Sequence, residues 1–135
     1  MIPSVTAKYH QAALAILRVT TGFMFFQHGL QKIGYLEGRV QEFPELTWFA
    51  MVLELVGGAL ITLGIFTRPV ALLLSGQMAY AYFTHAAEGG FWPILNGGER
   101  AYLFCFVFLF LAVAGAGRFA IGDRLGKKFG GPWWV

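Results

Sequence analysis

Charged residues and cysteine are both scarce in this sequence. Asp, Glu, Lys and Arg together occupy 13% of the 135 positions, whereas a soluble domain usually has about 25%. The single cysteine, Cys105, excludes an intramolecular disulfide and a zinc-finger site, and it leaves the redox compartment open. The sequence has no phosphate-binding loop, dinucleotide-binding fingerprint or nucleophile elbow. We also expect no cleavable signal peptide, because the first apolar run is too long and lacks a small-x-small cleavage site.

The sequence instead contains long runs of apolar residues. Hydrophobic residues make up 57% of the chain and Phe alone occurs 14 times. This predicts an all-α fold: a polytopic membrane protein with an antiparallel bundle of four transmembrane helices, forming one domain over residues 1–135. The predicted helices cover residues 12–35, 46–66, 69–87 and 99–121, and a basic tail follows at 122–135.

The basic residues predict how the helices cross the membrane. With four spans both termini lie on one side, which would hold seven Lys and Arg residues against three on the other. The positive-inside rule then places both termini in the cytoplasm. The expected location is the bacterial inner membrane. Trp133 and Trp134 would anchor the tail at the inner interface. Because the net charge of +3 follows from this topology, it predicts no nucleic-acid partner.

Polar side chains inside the apolar runs predict a site near the outer side. His28 would lie about 10 Å below the outer interface and Glu54 about 12 Å, at the 1.5 Å rise of a helix. Such residues normally face the bundle interior and mark a functional path. Gly22 and Gly29 would let a second helix approach closely. Other polar residues would lie nearer the outer surface and complete a polar funnel: Lys32, His85, Asn96 and Glu99.

Each of these residues also has a simpler interpretation. His28 and Glu54 could only bond neighbouring helices, Lys32 could extend to the surface, and Arg18 could anchor the topology. Asn96 and Glu99 have the spacing of a helix N-cap and its N3 acid. Two further alternatives are haem ligation by His28 and His85 and a metal site, whose ligands would be His28, Glu54, His85 and Glu99.

The chain resembles the DoxX family of small four-helix membrane proteins from about Leu14 to Asp123. The matching residues are Leu17-Arg18, Gly22, Phe26-x-His28-Gly29-x-x-Lys32, Glu54-x-x-Gly57-Gly58, Leu63-Gly64, Thr67-Arg68, Met78, His85, Trp92-Pro93, Asn96-Gly97-Gly98-Glu99 and Gly115-x-Gly117-Arg118. The resemblance implies a functionally mixed group. Some members are the small subunit of a thiosulfate:quinone oxidoreductase, and others are associated with oxidative stress or quinone-like compounds.

The leading functional hypothesis is a quinone- or quinol-interacting subunit of a membrane oxidoreductase. His28, Glu54 and Lys32 would be catalytic, and the ligand-binding residues would be Arg18, His85, Asn96 and Glu99. Quinone or quinol is the expected ligand, and no bound metal or flavin is expected. Expected partners are membrane lipid and other membrane or redox subunits, since the sequence has no electron-carrier motif of its own. The alternatives are a non-catalytic accessory subunit of a larger membrane complex and a carrier of small solutes or protons.

Overall fold

A computed structural model describes residues 3–43 and 45–129, and within these ranges every regular element is a helix. The all-α prediction is therefore confirmed for the described residues. The helices are α1 (Pro3–Lys32), α2 (Leu46–Leu63), α3 (Thr67–Gly89), α4 (Pro93–Asn96), α5 (Glu99–Ala114) and α6 (Ile121–Phe129). The predicted anchors Trp133 and Trp134 lie outside the described residues.

Helices α1 and α2 run antiparallel with their backbones in close contact at glycines. A Cβ atom added to Gly22 would lie 2.7 Å from the backbone nitrogen of Thr62, and one added to Gly58 would lie 2.7 Å from that of Phe26. Nearer the end of α1, a Cβ on Gly29 would lie 2.9 Å from the backbone nitrogen of Leu55. The expected close approach at Gly22 and Gly29 is confirmed, and it fixes how α2 is rotated against α1.

Helices α3 and α5 form a second antiparallel pair. The Ser75 hydroxyl donates to the carbonyl of Cys105 at 2.8 Å, and Arg68 donates to the carbonyl of Val113 at 2.6 Å. The two pairs meet in the core, where the Phe25 ring of α1 contacts the Phe108 ring of α5 edge-on at 4.9 Å. On the other side, Gly57 of α2 faces Leu74 of α3. Each long helix therefore has an antiparallel neighbour on both sides.

A π-helical turn interrupts α2 at Leu53–Gly57. The turn contains Glu54 and Gly57, and Gly58 follows it directly. A π-turn holds one more residue than an α-turn, so it changes the direction in which the side chains point. Within it Glu54 is buried, with 4% of its surface exposed.

Helix boundaries differ from the prediction at both ends of the chain. Helix α1 covers Pro3–Lys32 instead of the predicted 12–35. It begins earlier because the polar residues before the apolar run are also helical. Helix α5 ends at Ala114 because Gly115 and Gly117 adopt positive φ angles of 77° and 81°, which favour glycine and stop a helix. The predicted basic tail begins with a separate helix, α6.

Length and hydropathy separate one helix from the others as a candidate membrane span. Among the described residues, Leu46–Leu63 alone is long and apolar enough to span a membrane, with 18 residues and a mean hydropathy of 1.9. Helix α5 has 16 residues, fewer than the roughly 20 of a typical span. The prediction of four transmembrane helices is therefore not confirmed.

Candidate functional site

A partly buried ion pair joins the end of α1 to the π-turn of α2. The ammonium of Lys32 lies 2.6 Å from Glu54 Oε1, and the side chains are 27% and 5% exposed respectively. Lys32 is the last residue of α1, where the helix dipole favours a positive charge. Because the Glu54 carboxylate is buried, loss of its partner would leave an unpaired buried charge and destabilise the fold.

A cavity of about 490 Å³, called here the polar pocket, opens beside this ion pair. The aromatic and apolar side chains of Phe25, Met78, Ala101 and Phe104 form part of its wall. The polar and charged side chains that line it are His28, Gln31, Lys32, Glu37, Arg39, Gln41, Glu54, His85 and Arg100. Such a mixture of apolar wall and convergent polar groups is typical of small-molecule sites.

The loop after α1 folds back over this end of the helices and completes the polar pocket. Its Gly38 lies so close to α1 that a Cβ atom there would be 1.8 Å from the carbonyl oxygen of Gln31. The backbone N–H of Gln41 donates to the carbonyl of Lys32 at 2.9 Å. Because glycine alone tolerates such contact, Gly38 lets the loop place Arg39 and Gln41 along the pocket.

His28 and Glu54 line the same pocket, as the sequence predicted. The His28 ring is half-buried and meets the ring of Phe104 edge-on, with 6.0 Å between centroids. The ion-pair partner of Glu54 is Lys32, one helical turn beyond His28. His85 is exposed and lines the pocket from α3. These four predicted residues are therefore brought together.

Asn96 and Glu99 lie at the same end of the molecule but are not among the residues lining the polar pocket. The Asn96 amide donates to the carbonyl of Gly90 at 2.9 Å, and its oxygen accepts from the N–H of Gly98 at 2.7 Å. Helix α5 begins at Glu99 with Gly98 as N-cap. The N-cap and N3 interpretation is therefore wrong, because Asn96 ends α4 and stabilises the turn before α5.

Arg18 lies at the opposite end of the helices. It is 2% exposed, and it donates to the carbonyls of Ile61 at 3.1 Å, Phe119 at 2.9 Å and Ala116. Its guanidinium thus ties α1 to the end of α2 and to the segment after α5. Arg18 does not line the polar pocket, so the structure does not bring it together with the other predicted ligand-binding residues.

A second cavity, called here the apolar cleft, lies between α2 and α3 and measures about 390 Å³. Lys32, Glu54 and Met78 line both this cleft and the polar pocket. The remaining lining residues are Leu46, Thr47, Phe49, Ala50, Leu53, Gln77, Tyr80, Ala81 and Thr84. The ion pair therefore stands between a charged cavity and an apolar one.

Two buried oxygen atoms at this boundary have no hydrogen-bond donor among the described residues: Glu54 Oε2 and Gln77 Oε1. The Gln77 amide nitrogen points at the other carboxylate oxygen, Glu54 Oε1, at 3.5 Å. Buried polar atoms in proteins are nearly always bonded, so such exceptions often mark functional positions.

Sequence reasoning did not assign Gln77 or Arg100 to the site. The signal for Gln77 was present, since it is an amide inside the apolar run of α3, as His28 is an imidazole inside that of α1. Arg100 is the second residue of α5, and it lines the polar pocket. Within residues 3–43 and 45–129, no three His, Cys, Asp or Glu side chains are grouped closely enough to hold a metal ion.

Comparison with known proteins gives consistent relatives along nearly the whole chain. A protein of Haemophilus influenzae named "Uncharacterized protein" is 41% identical over 129 residues, covering 90% of this chain and 96% of its own. "Putative oxidoreductase CatD" of Bacillus subtilis is 30% identical over 131 residues, covering 91% and 96%. An "Uncharacterized membrane protein" of Mycobacterium tuberculosis is 28% identical over 131 residues, covering 83% and 80%.

No solved structure matches the chain. The family model named DoxX matches residues 13–87, which include the ion pair, His28, Gln77 and His85. The family and the membrane-protein relative indicate a membrane location. The sequence match and the relatives agree with the resemblance found in the motifs, and the chain belongs to the DoxX family.

Proposed function

We propose that this protein is a multi-pass membrane subunit that binds quinone or quinol at the Lys32–Glu54 ion pair for a membrane oxidoreductase. The observation that carries the proposal is the position of this pair between two cavities, one polar and one apolar. A quinone-type ligand has the same division, with a polar ring and an apolar tail. The relative named as an oxidoreductase is consistent with redox work in this family.

Exposed apolar side chains support a multi-pass arrangement. Every long helix presents large apolar residues away from the core, among them Phe23 on α1, Val56 on α2, Phe83 on α3 and Leu103 on α5. Exposed apolar surface on this scale marks contact with lipid or with another protein. Three basic residues, Lys32, Arg39 and Arg100, line the polar pocket at one end of the helices. The other seven Lys and Arg residues belong to the side on which the termini are predicted to lie. This distribution favours termini on the cytoplasmic side.

The cavities suggest how such a ligand would be oriented. Its ring would lie beside Lys32 and Glu54, where the two cavities meet, with one oxygen on the side of His28 and His85 and the other on the side of the cleft. The tail would leave through the apolar cleft between α2 and α3, past Leu53 and Phe49. Burial of the ring against Phe25 and Phe104 would exclude water from its faces.

Each side chain would then have a distinct role. Glu54 and His28 would bond the ring oxygens and hold the protons that are exchanged there. Lys32 would stabilise negative charge on a ring oxygen, as a positioned cation does. His85, which is exposed at the pocket, would pass protons to the outer surface. A partner subunit or a soluble protein would exchange the electrons with the ligand.

The test is ligand binding by variants of purified protein in detergent. We expect His28→Ala and Glu54→Gln each to weaken the binding of a short-tailed benzoquinone or its hydroquinone by at least tenfold. His10→Ala and Glu88→Gln are the matched controls, because both residues are exposed and line neither cavity. Unchanged affinity in both site variants would exclude the proposed site.

An accessory role is the second candidate, and the aromatic surface of α5 favours it. Phe106 and Phe110 are 52% and 46% exposed on this helix. In that case the ion pair would only lock α1 to α2, and the protein would pack against a larger membrane complex. Substitutions of Lys32 or Glu54 would then lower stability, while the purified protein would bind neither the benzoquinone nor its hydroquinone.

A further inference from the structure

The two unpartnered oxygen atoms beside the apolar cleft are both hydrogen-bond acceptors. Glu54 Oε2 belongs to a carboxylate whose other oxygen receives the Lys32 ammonium at 2.6 Å. Gln77 Oε1 belongs to an amide whose nitrogen is directed at that same oxygen, at 3.5 Å. Both side chains line the cleft, and Glu54 is 4% exposed. The chemistry missing at this place is therefore a donor.

No neighbour among the described residues supplies that donor, the Tyr80 hydroxyl of the cleft wall included. Thr47 and Thr84 also line the cleft, but their hydroxyls bond to Glu45 and to the carbonyl of Ala81. Lys32 is the cation that lines the cleft, and it is engaged with Oε1. An acceptor left unpaired in an apolar setting loses its hydration without compensation. A ligand that brings an O–H group would remove that penalty.

We propose that the apolar cleft selects the reduced, hydroquinone form of its ligand, with Glu54 and Gln77 accepting the hydrogen bond from a ring hydroxyl. This inference rests on the proposed function and adds to it a redox state and a specificity-determining residue, Gln77. A hydroquinone has two O–H donors, and a quinone has carbonyl acceptors alone. A quinone carbonyl in the same position would bring a third acceptor towards the Gln77 oxygen and the Glu54 carboxylate, which does not donate while it is ionised and paired with Lys32.

The size and lining of the cleft agree with the tail and one edge of a ring that lies at the boundary with the polar pocket. Its volume of about 390 Å³ lies within the range of small-molecule sites. Phe49, Leu53 and Met78 offer apolar contacts to the ring and tail, and Glu54 and Gln77 supply the polar contacts. A site built to bond an O–H group rejects the analogue that lacks it more strongly than an apolar pocket could.

The experiment compares a benzoquinone carrying a ten-carbon tail with its own hydroquinone. Binding to purified protein in detergent is measured by titration calorimetry, with the hydroquinone kept reduced under anaerobic conditions. We expect the hydroquinone to bind at least tenfold more tightly than the quinone. In Gln77→Met the preference should fall below threefold, mostly by weaker hydroquinone binding, because methionine keeps the length of the side chain without its acceptor.

The matched control is Gln27→Met, the same change on α1 at a residue that lines neither cavity. It should keep the full preference of the unaltered protein. Equal or tighter binding of the quinone by the unaltered protein would overturn the inference and leave the proposed function intact. An equal loss of both forms in Gln77→Met would also overturn it, since Gln77 would then act by packing alone. If neither form binds the unaltered protein, both the inference and the proposed function fail.

Discussion

At the scale of single residues, the pairing of Glu54 is the central feature of the site. The sequence predicted that His28, Lys32 and Glu54 lie close together, and all three line one pocket. It did not predict which cation would take the carboxylate. Lys32 does so because its longer side chain starts at the end of α1 and reaches back to the π-turn of α2. His28, one turn earlier, rests against Phe104.

Removing the lysine should be more harmful than neutralising the acid. We expect Lys32→Met to lower the free energy of unfolding by about 3 kcal/mol, because it leaves the Glu54 carboxylate buried and unpaired. Glu54→Gln should cost less, since Lys32 is partly exposed and can turn to water. Adding Glu54→Gln to Lys32→Met should restore part of the loss. Thermal unfolding in detergent measures all three, and a double variant no better than Lys32→Met would contradict this account.

Arg18 should be irreplaceable even by lysine. Its guanidinium donates to three carbonyls from two different segments, which a single ammonium group cannot do with the same geometry. We expect Arg18→Lys to destabilise the protein by roughly 2–4 kcal/mol, since buried carbonyls would lose charged donors. Arg124→Lys is the control, because this exposed arginine and Arg18 both line a cavity of about 290 Å³ at that end of the helices. Equal melting temperatures for the two variants would show that the Arg18 bonds contribute little.

At the scale of helices, glycine decides how closely α1 and α2 approach. The spacing of Gly22 and Gly29 in the sequence predicted a close helix contact. Which residues of α2 would face them depended on the structure, where Gly22 faces Thr62 and Gly29 faces Leu55. Glu54 lies within the π-turn, where its carboxylate contacts Lys32 of α1, and the one added residue rotates the side chains after the turn by about 100°. The ion pair therefore depends on both features together.

Two glycine-to-alanine changes should have opposite effects on stability. A Cβ at Gly58 would lie 2.7 Å from the backbone nitrogen of Phe26, so we expect Gly58→Ala to cost about 1–3 kcal/mol by forcing α1 and α2 apart. Gly76, inside α3, has no neighbouring atom within 4 Å of such a Cβ. Gly76→Ala should therefore stabilise the helix by up to about 1 kcal/mol. Denaturation of both variants side by side tests this, and a neutral Gly58→Ala would refute the close contact.

At the scale of the whole molecule, the polar groups separate into two ends. Lys32, Arg39, His85 and Arg100 line the pocket at one end, and the buried Arg18 closes the other. The apolar surfaces of the long helices lie between these ends. This division fits a protein whose middle faces lipid, which is the basis of the multi-pass proposal.

Labelling of single cysteines should assign the two ends to opposite sides of the membrane. In a Cys105→Ser background, we expect Arg39→Cys to react with a membrane-impermeant maleimide from the outside, because Arg39 is exposed beside the polar pocket. Arg118→Cys, exposed near the other end, should react only after the membrane is permeabilised. Reaction of both positions from the same side would exclude the proposed crossing.

The sequence by itself determined the helical class, the glycine-mediated contact and the presence of polar residues at one level of the helices, because these follow from local hydropathy and spacing. The tertiary structure decided that Lys32 rather than His28 pairs with Glu54, that Arg18 binds backbone carbonyls far from the pocket, and that Gln77 joins the site. Those outcomes depend on the rotation of one helix against another. That rotation depends on the close backbone contact of α1 and α2 and on the π-turn in α2. A periodic pattern of apolar residues in the sequence does not predict the π-turn.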